Sequence, residues 1–401
     1  MDDNQTHDQQ RSTPTATSFG LARQSQIFLD GLKGVRPTLP VDPAALEQAA
    51  QEAMTPEARG YLGGMPGTMR ANLDAFADWN IVPRMLRGVQ TRDLGTTLFG
   101  RRLPAPVLLA PVGVQSIVHP DGERAVARAA AGLGLPMVFS TASSFSLEET
   151  AAGMSDAPRW FQLYWSKSAA FNASVVSRAE AAGCGAIVVT LDTFMLAWRP
   201  QDLQNAYLPF MRGLGLANYF SDPAFRAELQ GPPEQDPQAA VRHFLGLFNN
   251  PALTWKDLSW LRERTRLPIL LKGILHPDDA RRALDCGIDG LVVSNHGGRQ
   301  VEGAVPALGA LPAVVEAVKG RVPVLLDSGV RRASDVIKAR ALGAQAVLLG
   351  RPYLWGLALG GEAGVAEVLG NLLADLDLTL GLSGYSSFDE LDASSLVRAG
   401  R

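Results

Sequence analysis

Cysteine is nearly absent from this chain, with only Cys184 and Cys286 among 401 residues. Two thiols cannot build a disulfide framework or a zinc site. Their apolar surroundings read as buried small side chains, and a reducing, cytoplasmic setting is expected. Histidine is also scarce, five in all. No His/Asp/Glu spacing resembles a ligand set, so no metal is expected. The net charge of −3 offers no general attraction for nucleic acid or an anionic membrane. No uninterrupted apolar stretch approaches the ~20 residues of a membrane span. The opening residues carry Asp2, Asp3 and Asp8 and lack the apolar centre of a signal peptide. What is present, 46% hydrophobic and 19% charged residues, is the composition of a soluble globular protein with a sizeable core. The length suits one large domain with insertions or two ordinary ones.

Residues 1–18, rich in Gln, Asp, Thr and Ser, read as a disordered tail. A helical segment is expected at Asp42–Arg59, with Asp42 as N-cap and Pro43 in the first turn. Eight short apolar runs follow: Val107–Gly113, Met137–Ala142, Trp160–Trp165, Ala186–Asp192, Ile269–Ile274, Gly290–Gly297, Val324–Gly329 and Ala346–Pro352. They lack polar alternation, as strands of a parallel sheet buried on both faces do. The stretches between them are alanine-rich. Gly183, Gly287 and Gly343 stand where helices should stop, because glycine tolerates the left-handed C-terminal cap. Eight buried strands alternating with helices point to a (β/α)8 TIM barrel rather than an open doubly wound sheet. One interval, about 201–258, is too long for a crossover helix and contains the turn-rich stretch Gly231–Pro237. It reads either as a lid over the barrel mouth or as an oligomer-contact loop.

Barrel chemistry lies at the C-terminal ends of the strands, so the polar residues there are the informative ones. The last two strands end in Asp327-Ser328-Gly329-Val330-Arg331 and Gly350-Arg351. Glycines let backbone amides approach an anion, and arginines fork onto phosphate oxygens. A phosphate site is therefore expected there. The sixth run ends in Ser294-Asn295-His296-Gly297-Gly298-Arg299-Gln300. An imidazole that takes a proton near neutral pH stands three residues from a guanidinium that can clamp a carboxylate. That pair suits a substrate with an ionised carboxylate and an acidic proton beside it. Lys272 reads as a Schiff-base nucleophile or a fixed positive charge. Asp192 reads as a metal ligand, a base or the partner that orients His296. Trp198 and Arg199 are either lid residues or a packed corner.

The segment Ser294–Gln300 resembles the signature of the FMN-dependent 2-hydroxy acid oxidase and dehydrogenase family. Further motifs match in order: Ala110–Gly113, Phe161–Tyr164, Thr190–Thr193, Leu271–Gly273 and Asp327–Arg331. The resemblance runs from about Pro40 to the C-terminus, so the expected domain is 19–401. It is greatest to the lactate 2-monooxygenase branch, through Ala197–Pro200, Pro209–Leu214 and the long insertion ending near Thr254-Trp255.

The resemblance implies a flavin phosphate on Asp327, Ser328, Gly329, Val330 and Arg331, with Gly350 and Arg351. It implies an isoalloxazine against Pro111, Val112 and Gly113, its edges bonded by Ser140, Gln162, Thr190 and Ser294. Lys272 would supply positive charge where reduced flavin is negative. Arg299, with Tyr61, Tyr164 and Arg199, would hold the substrate carboxylate. His296 would take the hydroxyl proton and Asp192 would steady the imidazolium. Implied partners are a small L-2-hydroxy acid and O2, in a homo-oligomer without nucleic acid or membrane.

The stretch after Tyr61 is about three residues shorter than the family pattern and lacks its acidic pair. Gly113 stands where simple oxidases usually carry alanine. Together with the long insertion, Gly113 favours oxidative decarboxylation over release of the keto acid. The other outcomes kept open are a plain oxidase or dehydrogenase, a non-catalytic FMN-binding barrel, and a flavin-free barrel enzyme acting on a phosphorylated metabolite. Pocket-lining candidates are Ala142, Phe145, Trp165, Phe194 and Met195.

Overall fold

The computed structural model describes residues 18–400. The tail expected at 1–18 lies outside them except for Ser18, whose hydroxyl caps helix α1 (Phe19–Leu32) by accepting from the Leu21 amide. The helical segment expected at Asp42–Arg59 is two helices. Asp42 caps α2 (Pro43–Ala53) as anticipated, its carboxylate accepting from the Ala44 and Ala45 amides. Pro56 cannot continue that helix, so the chain restarts from a Thr55 cap as α3 (Pro56–Leu62). Helix α4 (Pro66–Ala77) follows and leads to a short strand, β1 (Trp79–Ile81).

A hairpin of β2 (Thr96–Leu98) and β3 (Arg101–Leu103) comes next. Phe99 and Gly100 both take positive φ, +48° and +76°, as a two-residue turn matched to strand twist requires. Eight parallel strands then close into a barrel: β4 (Val107–Leu109), β5 (Met137–Ser140), β6 (Arg159–Leu163), β7 (Ile187–Thr190), β8 (Ile269–Ile274), β9 (Gly290–Val293), β10 (Val324–Leu326) and β11 (Ala346–Leu349). Closure is by β11 against β4, with Leu348 opposite Leu108. Each barrel strand falls in one of the eight apolar runs, β6 alone starting one residue earlier, at Arg159. A last strand, β12 (Leu396–Arg398), returns antiparallel to β1.

Side-chain alternation builds two cores. Leu108, Val138, Trp160, Val188, Leu270, Val292, Leu325 and Leu348 fill the barrel interior, with Leu98 and Leu103 of the hairpin plugging its base. Their neighbours in sequence, such as Leu109, Phe139, Phe161 and Val189, pack outward against the helices. A filled interior leaves only the top, at the strand C-termini, for a ligand.

The interval 201–258 folds on itself rather than trailing as a loop. Its longest helix, Pro237–Phe248, is capped by Asp236 and buries Val241, Phe244 and Phe248. Phe210, Tyr219, Phe225 and Phe244 meet as an aromatic cluster, for example Phe210–Phe244 at 5.4 Å and Tyr219–Phe244 at 4.8 Å between centroids. Such pairs stabilise beyond their buried area, so this segment is a packed roof. No helix among the described residues is long and apolar enough to cross a membrane.

Candidate active site

Over the barrel top lies a cavity with about 960 Å³ of atom-free space, a volume that includes solvent at its open mouth. Ala110 and Leu348 line it from the barrel interior, Leu196 from just before the inserted segment, and Phe210 and Phe248 from within that segment.

His296 lines it where the chain leaves β9. The strand ends at Val293, and His296, Gly297 and Gly298 all take positive φ, +59°, +68° and +77°. For a non-glycine residue that conformation costs about 1–3 kcal/mol and persists only when surroundings enforce it. Ser294 Oγ accepts from the His296 amide at 3.0 Å and Ser328 Oγ from the Gly297 amide at 2.9 Å. The ring is thereby aimed with Nδ1 on Asp192 Oδ1 at 2.7 Å. Thr193 Oγ1 lies 3.2 Å from the same nitrogen and donates to Asp192 at 3.1 Å.

Burial, reinforced by Lys272 and Arg299, holds the His296 pKa below its ordinary 6.5 despite Asp192. Burial opposes ionisation of Asp192, yet His296 and Lys272 outweigh it and keep the carboxylate charged. A neutral imidazole braced by an anion is ready to accept a proton.

Lys272 is buried and reaches Asp327 Oδ2 and Ser294 Oγ, both at 2.9 Å. Burial works against the ammonium, but Asp327 and Asp192 more than offset it and raise its pKa. Lys272 is thus a fixed cation, and the nucleophile reading, which needs a free amine, is not supported.

Four arginines converge with too few carboxylates. Arg299 donates through Nη1 to the carbonyls of Tyr61 and of Gly63, the latter at 2.7 Å, and covers the Tyr61 ring at 5.1 Å. Burial and the neighbouring Arg199 bring its pKa down to about 10. Arg351 donates to Leu62 and Gly63 carbonyls at 2.8 and 3.1 Å and to Gly297 O at 3.0 Å. Burial and Arg331 bring it down to about 9. Arg331 is half-buried, with a buried Nε that has no partner. Cations so depressed call for an anion. Gly350, the uncapped start of the helix from Arg351, lines the same end of the cavity, and helix N-termini favour phosphate.

The expected residues mostly assemble here. Pro111, Val112, Gly113, Ser140, Tyr61, Tyr164, Arg199 and Lys272 line the cavity, as do Asp327 through Arg331. Four do not: Gln162, Thr190, Asp192 and Ser294 stand behind the lining. Gln162 is buried with Oε1 accepting from Ser140 Oγ and the Thr141 amide, while its Nε2 donor has no partner. Thr190 is paired with Lys272 in the β7–β8 register.

Tyr61 is well placed despite the shortened loop after it. The Met65 amide bonds Gly298 O at 2.7 Å, and the Gly67 amide bonds Glu302 at 3.0 Å. Burial raises the Tyr61 hydroxyl to about 12, so it stays a donor. Arg199 donates to Arg299 O at 3.1 Å and Gln300 Oε1 at 2.7 Å. Trp198 is exposed, neither a packed corner nor a cavity wall.

Of the five lining candidates only Ala142 lines the cavity. Phe194 and Met195 are exposed, Trp165 packs on Trp260, and Phe145 lies under Arg124. Their places are taken by Leu196, Phe210 and Phe248. Thr193 and Gln300 were legible only as motif neighbours. Gln300 bonds the Asp192 carbonyl at 2.6 Å. The buried Asn72–Asn295 amide pair, 2.8 Å in both directions, joins residues too far apart in the chain to leave a local signal.

A packed barrel carrying a phosphate cradle, a buried lysine and a carboxylate-braced imidazole at one mouth defines a flavin-mononucleotide oxidoreductase. The unpartnered Gln162 amide and Arg331 Nε fit that cofactor, which brings acceptors for both. The profile of the family described as FMN-dependent dehydrogenase matches residues 50–398. An L-lactate oxidase of Lysinibacillus sphaericus is 44% identical, covering 90% of this chain and 93% of its own. The FMN-dependent alpha-hydroxy acid dehydrogenase qulF of Penicillium citrinum is 45% identical, covering 95% and 96%. The solved mandelate oxidase superposes with a TM-score of 0.79 at 40% identity, covering 90% of this chain and 98% of that one. The chain belongs to the FMN-dependent 2-hydroxy acid oxidoreductases.

Proposed function

We propose that this enzyme oxidises a small L-2-hydroxy acid with His296 as base and O2 as final acceptor, and that the keto acid is decarboxylated before it leaves. FMN, when bound, supplies the two-electron acceptor. His296 takes the substrate hydroxyl proton, and Asp192 steadies the resulting imidazolium through the 2.7 Å contact. Arg299 binds the carboxylate, aided by Arg199, Tyr61 and Tyr164, which share the cavity. Lys272 provides the fixed positive charge. Arg331, Arg351, Gly329, Val330 and Gly350 hold the cofactor phosphate, while Asp327 and Ser328 hold the chain leading to it. Pro111, Val112 and Gly113 form the face beneath the ring system. Ser140, Gln162, Thr190 and Ser294 bond its edges or brace those that do.

The observation that carries the reading is the His296–Asp192 pair facing one cavity with Arg299 and the arginine-rich cradle. Product retention is supported by Phe210 and Phe248 of the inserted segment, which with Leu196 line the cavity that His296 also lines. In this reading the segment is a lid. Keto acid and peroxide formed in one covered cavity give a shortened acid, carbon dioxide and water. Release of keto acid and peroxide is the second reading, favoured by the name of the lactate oxidase relative. Two unpaired cysteines support a cytoplasmic site, and exposed Phe28, Leu29 and Leu32 on α1 support homo-oligomer contacts.

The experiment is product stoichiometry in air, with catalase present, across a panel of 2-hydroxy acids. One carbon dioxide per substrate is expected. Keto acid accumulating without carbon dioxide makes the enzyme a plain oxidase. No turnover of any 2-hydroxy acid by FMN-loaded protein overturns the reading.

A further inference from the structure

Glu123 is a buried carboxyl, 1% exposed, that no step above uses. It begins helix α5 (Gly122–Gly132) directly behind the cavity wall. Its Oε1 accepts from two backbone amides, Gln115 at 3.1 Å and Ser144 at 3.0 Å. Those amides belong to different loops, one following β4 and the other following β5. The first loop carries Pro111, Val112 and Gly113, and the second follows Ser140 and Ala142, all lining the cavity.

The loops also touch directly: the Val114 amide bonds Ala142 O at 2.9 Å, and the Ser116 amide bonds Ser144 Oγ at 3.1 Å. Their approach is so close that a Cβ on Gly113 would stand 2.4 Å from Ala142 O. Gln115 continues the link inward, its Nε2 donating to Val112 O at 2.9 Å. Tyr353 holds the same loop from the other side by donating to Ala110 O at 2.9 Å.

We infer that Glu123 is a positioning residue, a clamp that fixes the Val112–Gly113 wall against Ala142 and so sets the shape of the FMN site. The Ser143 side chain, from the second loop, also hydrogen-bonds the Glu123 carboxyl, so both loops are tied to one buried group. Burial raises the Glu123 pKa, outweighing the backbone amides and the Ser143 side chain that bond the carboxyl. The inference rests on the reading that FMN lies against Pro111–Gly113.

The test compares FMN dissociation constants and bound-flavin absorption spectra for wild type, Glu123→Gln and Glu123→Ala. Glutamine keeps a carbonyl oxygen for both amides, so it should stay within about twofold of wild type. Alanine strands two buried amides, a loss expected to weaken FMN binding roughly tenfold or more and to shift the flavin spectrum. With saturating FMN, KM for the 2-hydroxy acid should be unchanged in both variants. Glu123→Ala binding FMN as tightly as wild type overturns the inference, even if its apoprotein melts earlier. A Glu123→Gln loss as large as that of alanine overturns it too, since glutamine keeps the acceptor for both amides. If alanine does not fold, Glu123→Asp, shorter by one methylene, must show the same weakening. Wild type that fails to bind FMN would instead refute the reading of the site itself.

Discussion

Replacing Asp192 with asparagine keeps the shape of the catalytic pair and removes its charge. In the resting enzyme His296 is neutral, held there by burial, Lys272 and Arg299, so the loss falls chiefly on the transition state, where the ring gains a proton. Two unit charges about 4 Å apart interact by ~4 kcal/mol at an effective dielectric near 20. The Nδ1–Oδ1 contact of 2.7 Å puts the pair near that separation. Asparagine retains a weaker hydrogen bond, so the net loss is about 2–4 kcal/mol. That is roughly a 30- to 1000-fold slower step. Thr193 Oγ1, 3.2 Å from the same nitrogen, keeps the ring from swinging free, so geometry should survive. Anaerobic stopped-flow mixing of FMN-loaded enzyme with saturating 2-hydroxy acid reads the step as loss of flavin absorbance. A variant that bleaches within twofold of wild type would refute the claim that Asp192 stabilises the protonated base.

Arg299→Lys should raise KM about 10- to 100-fold with FMN affinity nearly intact, because a point charge cannot reproduce the fork on a carboxylate. Equal weakening of substrate and FMN would misplace Arg299. Gly113→Ala sets a Cβ against the Ala142 carbonyl at 2.4 Å, so the backbone must yield at a cost of about 1–3 kcal/mol. Its chemical-denaturation stability should fall accordingly, and an unchanged midpoint would mean the two loops are looser than described. The pH profile follows from His296: the base must be neutral, and its pKa lies below 6.5. Thus kcat/KM should fall only as pH drops through a value below 6.5 and stay level from 7 to 8. An acidic limb centred above pH 7 would show that the imidazole is not held neutral.

The barrel was legible in the sequence because its strands are buried on both faces, which leaves uninterrupted apolar runs such as Ile187–Val189 and Ile269–Leu271. Their polar ends were legible for the same reason, since Lys272 or His296 after such a run has no structural excuse. Where strands stop was less visible. Ser294–Gly297 was read as the tail of a strand, but the positive φ of His296 and Gly297 belongs to a turn that tertiary hydrogen bonds impose. Helix α1 was not anticipated, and its apolar Phe28, Leu29 and Leu32 remain exposed rather than packed on the barrel. The cavity roof was illegible because the inserted segment returns Phe210 and Phe248 over the mouth from far along the chain. Nearby aromatics such as Phe194 were chosen instead by sequence adjacency alone. Glu123 carried no signal, for an acid opening a helix usually faces solvent.

The central claim is that His296 takes the substrate hydroxyl proton in an FMN-dependent oxidation of a 2-hydroxy acid. Anaerobic reduction of FMN-loaded His296→Gln by the best 2-hydroxy acid tests it most directly. The account predicts bleaching about 10²- to 10⁴-fold slower than wild type, with FMN still bound and substrate affinity largely retained through Arg299. Bleaching at the wild-type rate by that variant would contradict it.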